Sequence, residues 1–187
     1  MEIKRNKFTV ISYCTTEYES EIKNLVESLE KFNIPYAIEL VASLGTWELN
    51  TKYKATFVKK MLTMYNPALF VDADAIFKNY PTLCDNLDCD IAVHYREGIE
   101  LLSGTIWAQN TEATNKLLDI WIERNRTEPE RIEQRILQKI IEDKLIPDLK
   151  VYELPATYTQ IFDIMADTGE PVILHMQASR RLRKVVG

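Results

Sequence analysis

The sequence predicts an α/β fold: a mostly parallel central sheet flanked by helices, in a single domain over residues 1–187. Three observations predict it. Short β-branched and apolar runs alternate with amphipathic helical stretches from the N-terminus onward, the order that builds βαβ units. Leu69-Phe70-Val71 is apolar without alternation, as expected of a strand buried on both faces in the middle of a parallel sheet. One such strand follows each of the first two helical stretches, a doubly wound pattern.

Taken in order, Phe8 to Tyr13 is β-branched, aromatic and mostly apolar and reads as the first strand. Thr16-x-x-Glu19 then has the form of a capping box, and Ile22, Leu25, Val26, Leu29 and Phe32 recur behind it at helical spacing. Asn33 and Pro35 end that helix, and Tyr36 to Val41 is the second strand. Residues 42–52 read as a loop that carries Gly45 and Trp47. The next helix is expected over 53–65, with Phe57, Val58, Met61, Leu62 and Tyr65 on its apolar face and Lys54, Lys59 and Lys60 elsewhere on it. Pro67 stops it before the third strand. Further strands are expected over 90–95, 103–108, 150–155 and 171–175. Asn110 or Thr111 caps a helix with Leu117, Leu118, Trp121 and Ile122 on its core face. Another helix is expected to start around Thr127 with Pro129 in its first turn, and Ile132, Ile136, Leu137, Ile140 and Ile141 form its buried stripe.

Composition narrows the function classes. An apolar fraction of 46% and a charged fraction of 27% are those of an ordinary globular protein. The net charge of −5 argues against nucleic acid as the main partner. The first residues are not followed by an apolar segment long enough for a signal peptide or membrane span. Cys14, Cys84 and Cys89 are odd in number and lack zinc-site spacing. They read as reduced thiols of a cytoplasmic protein.

The chemistry-bearing stretch is Phe70-Val71-Asp72-Ala73-Asp74-Ala75-Ile76-Phe77. If the strand continues, Asp72 and Asp74 point to one side. Two carboxylates there need a partner to stay ionised. A divalent cation is one, and hard oxygen ligands suit Mg²⁺ or Mn²⁺. Open α/β sheets bind ligands at the carboxyl ends of their strands. An acidic turn after a strand is the plainer alternative. Trp107 and Trp121 read as core residues, and Trp47 as the better candidate for stacking on a ligand. The basic tail Arg180-Arg181-Leu182-Arg183-Lys184 is a candidate for contact with a diphosphate or with an anionic membrane surface.

The order of these pieces resembles nucleotide-sugar-dependent glycosyltransferases of the GT-A fold, particularly the small retaining enzymes related to glycosyltransferase family 8 and the nucleotide-diphospho-sugar transferases. The resemblance runs from about Phe8 to about Arg183. It rests on the Asp-x-Asp with its apolar flanks, on Ser103-Gly104-Thr105, on Glu133-Gln134, and on the late Val172-Ile173-Leu174-His175. It implies metal-dependent sugar transfer, with retention, from a nucleotide-sugar donor, expected to be a UDP-sugar. The acceptor, a glycan, protein or small molecule, is left open. By the resemblance, Asp72, Asp74 and His175 hold Mn²⁺ or Mg²⁺. Tyr13 and Thr15 stand where base and ribose sit, and Lys54, Ser103 and Gly104 lie beside the donor. Glu133 and Gln134 fall near the reaction centre, with Glu97 a second carboxylate candidate. The family's usual Gly and Lys-Pro-Trp after the late histidine are replaced by Met176-Gln177-Ala178-Ser179-Arg180-Arg181, so phosphate contact falls to Arg180, Arg181 or Arg183. Two other readings compete: a sugar-nucleotide-binding domain without turnover, and a haloacid-dehalogenase-type phosphatase. The second usually carries Gly-Thr or a similar turn after its Asp-x-Asp, where this chain has Ala75-Ile76.

Overall fold

The computed structural model describes residues 7–182. Its main sheet has six strands in the order β2-β1-β3-β6-β5-β7. These are β1 (Thr9–Cys14), β2 (Tyr36–Leu40), β3 (Ala68–Val71), β5 (Ile91–Arg96), β6 (Glu100–Ala108) and β7 (Val151–Glu153). β1 pairs in parallel with β2 and β3, and β5 with β7. β6 alone runs the other way, antiparallel to β3 and β5. A second sheet, in the order β4-β9-β8, joins β4 (Ala75–Phe77), β9 (Ile173–His175) and β8 (Gln160–Ile161).

Alternation along the strands divides the core into two layers. Ile11, Phe70, Ile91 and Ile106 face one side, where they pack with α2 (Trp47–Leu62), α3 (Glu112–Thr127) and α4 (Glu133–Glu142) through Phe57, Trp121 and Ile136. Val10, Leu69, Val71 and Trp107 face the other, against Leu25 and Leu29 of α1 (Glu19–Lys31) and against Phe77 and Ile173 of the second sheet. Trp107 and Trp121 are core residues, as expected, at 1% and 0% exposure. A short α5 (Ala178–Leu182) closes the described chain. No helix among the described residues is long and apolar enough to cross a membrane.

Several local expectations are corrected. The capping box does not form: residues 16–18 make a 3-10 turn, and α1 starts at Glu19 with no side-chain cap. α2 starts at Trp47, not at Tyr53, because the Thr46 side chain accepts the Leu49 N–H and caps it. Trp47 therefore stands in a helical first turn and not in a loop. α4 starts at Glu133, not near Thr127. The chain before it is held open by Lys52, whose ammonium binds the carbonyls of Asn125, Glu128 and Pro129 at 3.3, 3.0 and 2.9 Å, so those groups are taken from any continuing helix. Thr111, one of the two expected caps, accepts the Thr114 N–H at the start of α3. β6 begins at Glu100, earlier than the expected 103, as the return arm of a hairpin whose turn holds Glu97 and Gly98 at positive φ.

The Thr46 cap sets where α2 begins and so which residues that helix presents. Thr46→Ala is expected to lower stability by about 1 kcal/mol, a fall of ~2–4 °C in Tm for a chain of this size. Thermal unfolding followed by circular dichroism measures it; an unchanged Tm would mean that the Leu49 N–H finds an equal partner in solvent.

Candidate active site

The strand does not continue through the Asp pair. β3 ends at Val71, and residues 72–74 form a tight turn closed by the Ala75 N–H on the Asp72 carbonyl at 3.0 Å. Period-two alternation therefore is not what gathers the two carboxylates. Asp72 is held by its own N–H on the Gly104 carbonyl of β6, 2.9 Å away. Asp74 enters through the second sheet: β4 starts one residue later and pairs antiparallel with β9, in register Ala75↔His175. His175 thus reaches the Asp pair through a separate three-stranded sheet.

Both carboxylates line a cleft of about 290 Å³ at the carboxyl ends of β1 and β3. Of the residues singled out from the sequence, Tyr13, Thr15, Trp47, Lys54, Asp72, Asp74, Ser103, Gly104, Glu133, Gln134 and His175 line it. Arg180 does not: it is exposed and pairs with Asp163 at 2.6 Å. Glu97 lies exposed in the β5–β6 turn, also outside the lining. Arg183, Lys184 and the Arg181 side chain lie outside the described residues. Sequence reasoning missed Tyr18, Asn50, Thr51 and Ile132. Asn50 and Thr51 had a legible signal, since with Trp47 and Lys54 they fall at i, i+3, i+4 and i+7 on one helix face.

At the centre is a buried ammonium. Lys54, expected off the apolar face, is 2% exposed. Its Nζ lies 2.9 Å from Glu133 Oε1 and 3.1 Å from Asp72 Oδ1, and it donates to the Ser103 carbonyl at 3.0 Å. The Ser103 hydroxyl donates to Glu133 Oε1 at 2.7 Å, and the Ser103 N–H to Gln134 Oε1 at 3.1 Å. Trp121 Nε1 donates to the Glu133 carbonyl at 3.0 Å and fixes the start of α4 from below. Burial alone would lower the Lys54 pKa, but the Asp72 and Glu133 carboxylates outweigh it and hold the group above its ordinary value, hence charged. Burial raises the Glu133 carboxyl, and Lys54 and Ser103 offset it only in part. Glu133 Oε2 is buried without a partner.

The second cluster surrounds His175, which is 3% exposed. Its Nδ1 lies 3.6 Å from Asp74 Oδ1, an electrostatic contact longer than a hydrogen bond. Its Nε2 lies 2.8 Å from the Thr105 hydroxyl. A hydroxyl both donates and accepts, so Thr105 satisfies either ring tautomer. Asp74 Oδ2 accepts the Ala178 N–H at 2.8 Å. Burial would raise the Asp74 carboxyl, but the His175 ring and the Ala178 N–H outweigh it and hold it below its ordinary value.

Whether these residues suit a divalent cation is tested by Gly104. A Cβ there would stand 3.2 Å from Asp72 Oδ2 and 3.3 Å from His175 Nδ1, so glycine keeps open the space between two donors. Three carboxylates face one ammonium among the described lining residues, an excess that a cation would balance. Hard oxygens with one imidazole nitrogen suit Mn²⁺ and, less well, Mg²⁺. The donors are gathered but not closed into a shell: among the described residues no three His, Cys, Asp or Glu side chains already stand at coordinating spacing. The donor set fits a cation that draws them together.

The sequence profile of the nucleotide-diphospho-sugar transferases matches residues 44–184, well over half of the chain. The chain belongs to that family. The match spans α2, the Asp turn, β6, α4 and β9, while the cleft residues Tyr13, Cys14, Thr15 and Tyr18 precede it. No curated protein sequence matches the chain. Among solved structures, a glycosyltransferase involved in glycosylation of the major capsid of PBCV-1 superposes with a TM-score of 0.70 at 14% identity, covering 96% of this chain and 98% of that one. The glycosyltransferase GlyE of Streptococcus pneumoniae TIGR4 gives 0.64 at 16% identity over 91% of this chain and 54% of its own. The bifunctional glycosyltransferase WbbM gives 0.68 at 11% identity over 95% and 47%. At these identities the likeness is one of fold. The chain spans about half the length of GlyE and WbbM.

Lys54→Met would leave Glu133 buried without its counter-charge, an expected loss of ~3–5 kcal/mol. The double variant Lys54→Met/Glu133→Leu should recover much of it, because the orphaned charge goes too. Denaturant unfolding of the single and double variants measures this; equal losses in both would mean that packing, not charge, dominates. Asp74 generates a pH prediction. Its folded pKa is lowered, so its stabilisation is complete above its unfolded value near ~3.9 and fades as pH falls through the folded one. The stability difference between wild type and Asp74→Asn, followed by urea unfolding, should therefore shrink below about pH 4 and stay constant above it.

Proposed function

We propose that this cleft transfers a sugar from a nucleoside-diphosphate sugar, expected to be a UDP-sugar, to an acceptor, with Mn²⁺ or Mg²⁺ held by Asp72, Asp74 and His175. The observation that carries the reading is the open space beside Gly104, ringed by the Asp72 and His175 donors and backed by Asp74 and a buried, charged Lys54. A cation bound there would supply Lewis-acid neutralisation of the leaving diphosphate.

The chain's own residues do the rest. Lys54 places a fixed positive charge beside Asp72, in a setting drier than bulk water, where charge developing on a departing phosphate is best stabilised. Glu133 and Ser103 hold that ammonium in place. Gln134 is turned toward the Ser103 backbone, which steadies the wall that would face the sugar. Lys54 is the only Lys or Arg among the described lining residues, so among these residues leaving-group stabilisation falls to it and not to Arg180. Retention is the stereochemical outcome we favour, with departure and attack on one face and no covalent step on the protein. Glu133 supports this view, since its Oε1 is committed to Lys54 and Ser103 and its Oε2 is buried away from the open cleft surface.

Isothermal titration with UDP and Mn²⁺ tests the assignment. Asp72→Asn/Asp74→Asn should abolish metal-dependent binding while the fold melts cooperatively. Gly104→Ala should weaken it by roughly 10–100-fold, the size of loss seen when metal sites are perturbed from outside the ligands, because the new methyl enters the space between the donors. Unchanged affinity in both variants would refute the metal site. Tight binding with neither sugar transfer nor donor hydrolysis would make the chain a sugar-nucleotide-binding domain.

A further inference from the structure

Four non-glycine residues among those described take a positive φ. Three stand where the chain reverses: Asn33 just past α1, Lys144 just past α4, and Glu97 in the β5–β6 turn. Such places accept the left-handed region routinely. Gln177, with φ 52°, is the exception. It sits between β9 and the start of α5, and it lines the cleft.

Asp74 holds Gln177 in this conformation. Its carbonyl accepts the Met176 N–H at 3.3 Å and its Oδ2 accepts the Ala178 N–H at 2.8 Å, so both neighbours of Gln177 are pinned to one residue. The Gln177 carbonyl is committed as well, to the Arg180 N–H at 3.0 Å. The side-chain amide is not: it is partly buried and bonds to no described residue. Asn and Asp gain from the left-handed region because their short side chains bond the nearby backbone; the longer Gln does not. Strain of this kind persists only where the surroundings over-determine it, and it gathers at ligand sites.

From this we infer that Gln177 is a specificity-determining residue whose amide hydrogen-bonds the hydroxyls of the sugar to be transferred. The inference rests on the reading of the cleft as a nucleotide-sugar site and adds a residue that reads the sugar. Asp74, which pins Gln177, and His175, two residues before it, are the groups proposed to hold the cation. The amide therefore stands close to where the diphosphate joins the sugar. Its chemistry selects between those two parts. A phosphate oxygen only accepts, whereas a carboxamide both donates and accepts, as a sugar hydroxyl does. The strained backbone fixes where the amide starts from, which lowers the cost of ordering it on a ligand.

Calorimetric titrations with Mg²⁺ compare UDP with UDP-glucose, UDP-galactose and UDP-N-acetylglucosamine in the wild-type chain, in Gln177→Met and in Gln177→Gly. Gln177→Met keeps the length of the side chain and removes its hydrogen bonds. It should weaken the tightest-bound UDP-sugar ~5–10-fold, about the worth of one neutral hydrogen bond, and leave UDP unchanged. Gln177→Gly should lose the same sugar affinity while its Tm rises by ~2–4 °C, because glycine enters the left-handed region without strain. Equal weakening of UDP and UDP-sugar, weakening of neither, or a Tm below wild type in Gln177→Gly overturns the role of the amide and leaves the cleft assignment standing. A wild-type chain that binds UDP but none of the three UDP-sugars has the same effect. Failure of the wild-type chain to bind UDP at all overturns both.

Discussion

One ammonium group holds the cleft together. Lys54 comes from α2, Asp72 from the turn after β3, Ser103 from β6 and Glu133 from the first turn of α4. A charge so deeply buried is tolerated only where several oxygens surround it. All four elements must therefore arrive in one relative register, and a slip of α4 along β6 would strand a carboxylate as well as the ammonium. Buried ion pairs are weak sources of net stability. Their effect here is on alignment: the pair ties the helical layer to the strand ends at the place where the fold leaves its cleft.

The reversed direction of β6 matters for the same reason. A parallel strand beside β3 would present its last residues at the cleft and then leave. Because β6 runs antiparallel, with Val71↔Thr105 in register, its early residues Leu102, Ser103 and Gly104 stand level with the end of β3 and pass on into the sheet. Their backbone is thus held by pairing, not by a loop. Ser103 and Thr105 lie where the β5–β6 register shifts and serve different clusters: Ser103 bonds to Glu133 and Thr105 to His175. Gly104 between them leaves the gap. Three consecutive residues thus partition charge handling, ligand space and imidazole support.

The layered α/β plan was legible because it rests on periodicity, which burial enforces along whole elements. The apolar run at 69–71 and the stripe on α3 carried into the structure for that reason. What failed was local. A capping box at Thr16 and a proline start at Thr127 are sound patterns, but a 3-10 turn displaced the first and the Lys52 ammonium captured the carbonyls needed by the second. Periodicity placed Lys54 only off the apolar face of its helix, because its partners come from residues 72, 103 and 133, distant in sequence. The resemblance marked Lys54, Ser103, Glu133 and Gln134 as neighbours of the donor, and all four line one cleft. Nothing in residue spacing showed that Lys54, Ser103 and Glu133 would form a single buried network. Asp72 and Asp74 both line the cleft, but the premise that paired them does not hold, since a turn and not an extended strand carries them. The short strand β8, two residues long, is below the length at which any period can be read.

The β4–β9 ladder has an architectural consequence. Asp74 and His175 are about a hundred positions apart in sequence, yet the ladder that begins at Ala75↔His175 fixes their spacing through backbone pairing alone. The intervening chain leaves β4 at Phe77 and returns into β9 at Ile173, so the pair is stapled at the neck of one large excursion. Segments grafted at the surface of that excursion would lengthen the path without parting the two side chains. The ladder thus separates the constancy of the chemistry from the variability of whatever is hung around it.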